Sequence, residues 1–322
     1  MIDPILYSRA IIFSSLLSLL SVGLTLTYLT TKVPNFAHGS FAAVGAYITL
    51  TAIRVWQGGA YQYLFLAPII GGLIALAQYL VIFRPLMQRG ATTVTLMITT
   101  LAMDFIILAI LNIYADYLSR VFKVDSRYFL FSTYYDVNIW GQRGLLIVAP
   151  TLSAVTVISL YLVLTKTRFG VAMRAAIEDS SLASVVGVNV NLVYAVSWFM
   201  AGALGGLSGA LVPLWQPGNP DMGSRWIVSI FAASTVGGIY SLYGAILGGF
   251  LIGHAEILGT SYLASWLGAW IIPYRPLIPL IAMVATLLLA PSGLAGVNWR
   301  ALTTLVRTKV RQTILKTRRQ IQ

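Results

Sequence analysis

The sequence predicts an all-α fold, a polytopic bundle of transmembrane helices, and three observations support this prediction. Only 9% of the 322 residues are charged, whereas a soluble domain carries about a quarter charged residues. Hydrophobic residues make up 58% of the chain, and the mean hydropathy is +0.84. Several uncharged stretches reach the roughly 20 residues that cross about 30 Å of hydrocarbon. We therefore expect an integral membrane protein rather than a soluble domain.

The uncharged stretches divide the chain into about nine crossings. Several are shorter than a full crossing or are interrupted by Gly or Pro, which predicts broken or re-entrant helices. Small residues recur in Gly39–Ile48 and again in Gly244–Gly253, and this faint echo is typical of an internal repeat in transporters. The predicted spans are Ala10–Thr31, Gly39–Arg54, Tyr63–Phe83, Thr93–Ile113, Gly144–Thr165, Asn191–Val212, Trp226–Tyr240, Gly244–Leu258 and Pro276–Ala290.

The net charge of +12 comes from basic residues in short connections between apolar spans and in the segment 300–322, which has no acidic residue. The positive-inside rule explains this distribution without any nucleic-acid partner. We therefore expect a transmembrane domain over residues 1–299 and a basic cytoplasmic tail over 300–322. The protein is expected to be a multi-pass protein of the cell (plasma) membrane, with its C-terminus in the cytoplasm.

A polar and flexible run follows the first predicted span. Asn35 and His38 bring hydrogen-bonding groups, Phe36 lies between them, and Gly39 and Gly45 allow close backbone approach. Such groups are costly at membrane depth unless they face protein, water or a solute. Two interpretations stay open: these residues line a path for a solute, or the Asn and His are a helix cap and a packing contact.

A second polar segment, about 166–190, is predicted on the cytoplasmic side. Val171, Ala175 and Leu182 recur at helical spacing, and Gly187 is a plausible helix end. A short helix on the membrane surface could dock on a soluble partner and transmit its motion. A plain solvated loop is the alternative interpretation.

The chain has no residues with which to supply its own energy or perform covalent chemistry. A phosphate-binding P-loop ends in Gly-Lys-Ser or Gly-Lys-Thr, and none of the lysines in this sequence follows a glycine. Cysteine is absent, and the two histidines lie far apart in the sequence, so neither a metal site nor an acid–base pair is predicted. We expect a transport subunit that is not an enzyme and holds no cofactor or metal.

Four groups of residues resemble the permease subunits of branched-chain amino acid ABC importers of the Liv type. The resemblance covers roughly 23–296. Its first group is the run that begins at Asn35 and continues to Gly45-Ala46-Tyr47, and its second is the segment 168–187. The remaining matches are Gly237-Gly238, Gly244-Ala245, Gly248-Gly249, Gly253 and the boundary Pro291-Ser292-Gly293-Leu294-Ala295-Gly296.

This resemblance implies a permease subunit that imports branched-chain or related amino acids, within a complex. The implied partners are cytoplasmic ABC ATPase subunits that use ATP and Mg, a second permease subunit that is a homologue or a second copy, an extracytoplasmic solute-binding protein, and membrane lipid. The implied substrate path contains Asn35, Phe36, His38, Gly39 and Gly45. The implied ATPase-coupling residues are Arg168, Gly170, Arg174, Asp179, Ala183 and Gly187. Of the general importer coupling pattern, in which Glu-Ala-Ala is separated from a Gly by three intervening residues, only Ala183 and Gly187 are kept.

Two alternatives stay open. One is the same class of importer with another cargo, such as urea or a short amide. The other is an ion-coupled secondary transporter, in which Asp104 or Glu256 would carry the coupling ion. A structural role for both carboxylates, near a membrane surface or hydrogen-bonded inside the bundle, is the interpretation that we favour.

Overall fold

The computed structural model describes residues 4–131, 135–139 and 141–296, which form a helical bundle with one short β-hairpin. The predicted basic tail, 300–322, lies outside the described residues. The helices are α1 (Pro4–Thr31), α2 (His38–Arg54), α3 (Leu66–Gln78), α4 (Arg84–Gln88), α5 (Thr93–Val121), α6 (Gly144–Lys166), α7 (Arg168–Glu178), α8 (Ser180–Val185), α9 (Val190–Leu211), α10 (Met222–Gly237), α11 (Leu242–Leu267), α12 (Leu277–Leu289) and α13 (Gly293–Gly296). The hairpin strands are β1 (Asn138–Ile139) and β2 (Gln142–Arg143).

The predicted polytopic helical bundle is confirmed. Within the described residues, seven helical segments are long and apolar enough to cross a membrane. Two further apolar helices, α2 and α10, have only 17 and 16 residues, fewer than the roughly 20 that a crossing requires. The predicted count of nine spans is therefore approximate. The sequence also predicts helices that are broken along their length, and one such irregularity is a π-helix at Tyr79–Phe83 that joins α3 to α4.

The helix α1 is the centre of the bundle and is buried along most of its length. Its serines allow α11 to approach closely, because small residues at a helix interface let two backbones meet. A Cβ added to Gly249 would lie 2.4 Å from Cα of Ser18. The Ser21 hydroxyl donates to the Ala245 carbonyl oxygen at 2.7 Å. These contacts position α11 on one side of α1.

The helix α9 packs on α1 and holds both α2 and α3 through glycine contacts. A Cβ on Gly209 would lie 1.9 Å from the Ala42 carbonyl oxygen, and one on Gly206 would lie 2.3 Å from that of Ala67. The two segments of the sequence echo, in α2 and α11, thus both form close helix contacts. Whether they descend from a duplication stays a prediction.

Residues 126–131, which follow α5, contact α2 and the loop before α10. The Tyr47 hydroxyl donates to the Ser126 carbonyl oxygen at 2.7 Å, and Phe129 pairs with Gly218 in an antiparallel bridge. The ring of Phe131 lies 5.4 Å from the guanidinium carbon of Arg54. These contacts fix the loop that leads into α10.

Candidate functional site

The two short helices α2 and α10 meet through their first turns. A Cβ on Gly39 would lie 2.1 Å from the carbonyl oxygen of Gly223, and a Cβ on Gly223 would lie 2.3 Å from that of Gly39. Glycine at both positions is therefore required for this contact. The N-terminal end of a helix carries a partial positive charge, so two such ends converge inside the bundle. Broken helices that meet in this way form the solute sites of several transporter folds.

The carboxylate of Asp104, on α5, lies between these two helix ends. Its Oδ1 accepts a hydrogen bond from the Ser40 hydroxyl, and its Oδ2 accepts one from the Ser224 hydroxyl at 3.0 Å. The side chain is almost completely buried. A negative group is stabilised next to helix N-termini, so Asp104 holds α2, α5 and α10 together. This geometry favours the structural interpretation of Asp104.

Asn35 and Phe36 lie in the turn that connects α1 to α2. Oδ1 of Asn35 accepts a hydrogen bond from the backbone N–H of Ala37 at 3.1 Å, a local contact within the turn. The Phe36 ring stacks on Phe231 of α10 with centroids 5.1 Å apart. Its backbone N–H donates to Thr100 at 3.2 Å. The turn is thereby held against both α5 and α10.

The ring of His38 is completely buried against α1. A Cβ on Gly23 would lie 2.7 Å from its Cε1 atom, and the Phe41 ring stands edge-on at 5.8 Å. Leu20 supplies a nearby backbone group, but neither ring nitrogen makes a hydrogen bond of good geometry with a described residue. Leaving a buried polar atom unpaired costs roughly 1–3 kcal/mol. A water or a passing solute would explain these atoms.

Other buried side chains also have polar atoms without a hydrogen-bond partner. Among the described residues, Nδ2 of Asn35, the side-chain amide of Gln78 on α3 and Nε1 of Trp198 on α9 have no hydrogen-bond partner. Gln78 and Trp198 were missed in the sequence, because a single Gln or Trp in an apolar helix has no distinguishing spacing. Gly45, in contrast, is a packing residue, since its Cβ would lie 2.0 Å from the Gly206 carbonyl oxygen.

Glu256 on α11 forms an ion pair with Arg275, whose Nε donates to its Oε1 at 2.7 Å. The Arg275 guanidinium also lies 4.6 Å from the centroid of the Phe13 ring on α1. Within the part of the chain that is described, no cluster of three His, Asp or Glu side chains could hold a metal ion. The ion pair between Glu256 and Arg275 links α11 to the residues just before α12.

The predicted coupling segment, 166–190, consists of α7 and α8. Gly170 packs where a Cβ would lie 2.0 Å from the Leu164 carbonyl oxygen at the end of α6, and Arg174 donates to the same oxygen. Gly187 has φ of +88° just after α8, as expected of a residue that ends a helix. The helical spacing predicts one helix here, but the structure has two, separated at Asp179. Oδ1 of Asp179 accepts hydrogen bonds from two backbone N–H groups of α8 at 2.9 Å.

An apolar surface on α8 was not predicted. Leu182 and Val185 of α8, and Val186 just after its end, are 62%, 81% and 71% exposed, and we refer to these three side chains as the α8 patch. Ala183, one of the implied ATPase-coupling residues, is buried and belongs to the inner face of α8. Arg168 begins α7 and Asp179 caps α8. Docking of a partner at this segment stays a prediction.

Replacement of Asp104 separates its structural role from an ion-coupling role. Asp104→Asn keeps an oxygen that can accept from Ser40 or Ser224, so we expect at least half of wild-type uptake. Asp104→Leu removes both hydrogen bonds, each worth about 0.6–2 kcal/mol in a membrane, and is expected to lower thermal stability in detergent. Transport by Asp104→Asn is measured in membrane vesicles. Complete loss of uptake by a stably folded Asp104→Asn protein would contradict the structural role.

The fold and the site define a class of protein: a multi-pass helical membrane protein, with short helices that meet inside the bundle and a helical segment exposed at one end. The family model described as "Branched-chain amino acid transport system / permease component" matches residues 6–290. The chain belongs to this family of permease components of branched-chain amino acid transport systems. It is accordingly a transport subunit and not an enzyme.

Several curated relatives are similar over most of their length. A probable branched-chain amino acid transport permease protein LivH of Methanocaldococcus jannaschii is 42% identical over 95% of this chain and 96% of the relative. The high-affinity permease protein LivH of Escherichia coli is 24% identical over 89% and 94%. The permease protein BraD of Pseudomonas aeruginosa is 26% identical over 87% and 91%. No solved structure matches the chain significantly.

Proposed function

We propose that this chain is the permease subunit of an ABC importer that carries branched-chain amino acids into the cell, and that the solute passes where α2 and α10 meet. The convergence of these two helix N-termini at Gly39 and Gly223 carries the proposal. Helix ends supply N–H donors to a bound solute. The unpaired atoms of Asn35 and His38 provide further polar groups beside this junction.

The energy is proposed to come from ATPase subunits that use ATP and Mg and dock on α7 and α8 at the cytoplasmic side. The exposed apolar α8 patch supports this proposal, because an interface core is enriched in apolar side chains. A second permease subunit and an extracytoplasmic solute-binding protein complete the proposed complex. The C-terminus and its basic tail are proposed to lie in the cytoplasm, on the same side as α7.

Transport in proteoliposomes tests the proposed energy source and cargo. The chain, its ATPases and its binding protein are reconstituted together, and uptake of labelled leucine is followed with and without ATP and a protonophore. We expect uptake that requires ATP and survives the protonophore. Uptake by the chain alone on an ion gradient would overturn the proposed class. If an excess of urea or a short amide competes with leucine and an excess of valine does not, the cargo assignment is wrong.

His38→Leu tests the proposed path by separating function from stability. Because it replaces two unpaired buried nitrogens with an apolar group, the thermal stability should be unchanged or higher. The uptake rate per folded molecule should nevertheless fall at least about tenfold, as loss of one hydrogen bond of about 1.4 kcal/mol or more would produce. Ile53→Leu, a volume-conserving change of a buried apolar residue at the other end of α2, is the control. Equal uptake rates for the two variants would exclude His38 from the path.

A further inference from the structure

A cavity of about 600 Å³ lies between α1, α6, α7 and the start of α11, a volume within the roughly 300–1,000 Å³ of ligand pockets. Its walls are mainly apolar and include Leu29, Val157, Leu160 and Ile246. The candidate path residues of α2 and its preceding turn do not line it. It is therefore separate from the junction of α2 and α10.

One wall of the cavity is a helix that has little protein around it. Only 17% of the apolar window of α6 is buried. Val155 and Ile158, next to the lining residue Val157, are more than half exposed. In a membrane protein, such an apolar helix surface faces lipid or another subunit. The cavity therefore lies beside an apolar helix surface that does not favour water.

Basic and aromatic side chains stand at the α7 end of the cavity. Arg174 lines it, and Nζ of Lys32 lies 5.8 Å from the centroid of the lining residue Tyr240. Neither cation forms a salt bridge with any residue that the structure describes. Glu178 is the one acidic residue in the lining, and Lys32 stands beside the lining rather than in it. Tyrosine is typical of the membrane–water interface, and Tyr161 is another lining residue.

We propose that this cavity binds one anionic phospholipid. An acyl chain fills the apolar space between α6 and α11, and the headgroup phosphate pairs with Arg174 and Lys32. Arginine suits this role because its planar guanidinium binds phosphate oxygens in a bidentate manner. Basic pockets between transmembrane helices bind anionic headgroups on the same grounds.

Bound lipid would also connect the bilayer to the segment that carries the α8 patch. Met173, Arg174 and Ile177 line the cavity and belong to α7. Arg174 also donates to the Leu164 carbonyl oxygen at the end of α6. A phosphate at Arg174 therefore fixes the angle between α6 and α7. This binding is independent of the proposed cargo and of any ATPase.

Native mass spectrometry of the purified full chain in detergent tests the proposal. The protein is titrated with dioleoyl phosphatidylglycerol or with dioleoyl phosphatidylcholine, and bound lipids are counted. We expect one tightly bound phosphatidylglycerol and at least fivefold weaker binding of phosphatidylcholine. Arg174→Gln should weaken phosphatidylglycerol binding about fivefold, the effect expected of one basic residue near a lipid surface. Arg89→Gln, at an exposed arginine that does not line the cavity, should leave the affinity unchanged.

A second variant tests the apolar part of the site without changing a charge. Val157→Trp fills the cavity from α6 and should abolish the tightly bound lipid, whereas Val155→Trp, on the exposed surface of the same helix, should not. Equal affinity for the two lipids would overturn the proposal. So would a tightly bound phosphatidylglycerol that persists in both Arg174→Gln and Val157→Trp. Because no transport is measured, these results do not depend on the proposed import activity.

Discussion

Replacement of Leu182 and Val185 together by aspartate is expected to abolish ATP-dependent uptake while the amount of protein in the membrane stays the same. Both side chains project from α8 and are mostly exposed, so the folded permease should tolerate the charges. An ATPase that docks on the α8 patch would have to bury two unpaired carboxylates, which costs several kcal/mol. Uptake in proteoliposomes and copurification of the ATPase subunits are the measurements.

The matched control for this double variant keeps the surface apolar. Leu182→Met with Val185→Ile changes the same two positions and should retain both uptake and copurification. Ala183 is a less informative position, because it is buried and a charge there would disrupt α8 itself. Normal copurification and uptake by the aspartate variant would place the ATPase contact elsewhere on the protein.

Gly45→Ala is expected to cause a large loss of folded protein. A Cβ at this position would lie 2.0 Å from the Gly206 carbonyl oxygen, so α2 and α9 would have to separate. Overpacking of this kind costs about 1–3 kcal/mol or more. An alanine in an unconstrained helix would instead stabilise it by about 0.5–1 kcal/mol. Thermal unfolding in detergent and the yield of membrane-inserted protein measure the effect.

Gly59→Ala is the control for Gly45→Ala. The loop around Gly59 leaves room, since the nearest atom to an added Cβ is 4.0 Å away on Gln62. The free energy of unfolding of the Gly59→Ala variant should stay within about 0.5 kcal/mol of wild type, as for other surface substitutions. If Gly45→Ala is as stable as Gly59→Ala, then the close contact between α2 and α9 does not exist in the membrane.

The helices that could be predicted are those that the chain encodes locally. The span predicted at Gly144–Thr165 is found at Gly144–Lys166, and the one at Asn191–Val212 is found at Val190–Leu211, because apolar length and polar flanks are visible in the sequence. The coupling segment was predicted as one helical rhythm. Its division at Asp179 depends on a side-chain cap, which competes with a continuous helix.

The candidate site was predicted only in part. The run from Asn35 to Gly39 stands out because polar residues interrupt an apolar sequence. Ser224, 120 positions from the carboxylate that it contacts, could not be paired with Asp104 from spacing. The exposure of the α8 patch could not be predicted either. Val185 and the buried Ala183 are both small apolar residues, and only the packing of α8 decides which of them faces outward.

The amino-acid sequence by itself determined that this protein is a polytopic helical bundle with a polar run after its first span and a polar segment near residues 166–190. Composition and hydropathy suffice for this, because lipid requires apolar helices that satisfy their own backbone hydrogen bonds. Only the tertiary structure decided that α2 and α10 meet at Gly39 and Gly223, with Asp104 between them. Contacts of this kind join residues that are far apart in the chain, and they depend on how closely two backbones approach, which no local pattern records.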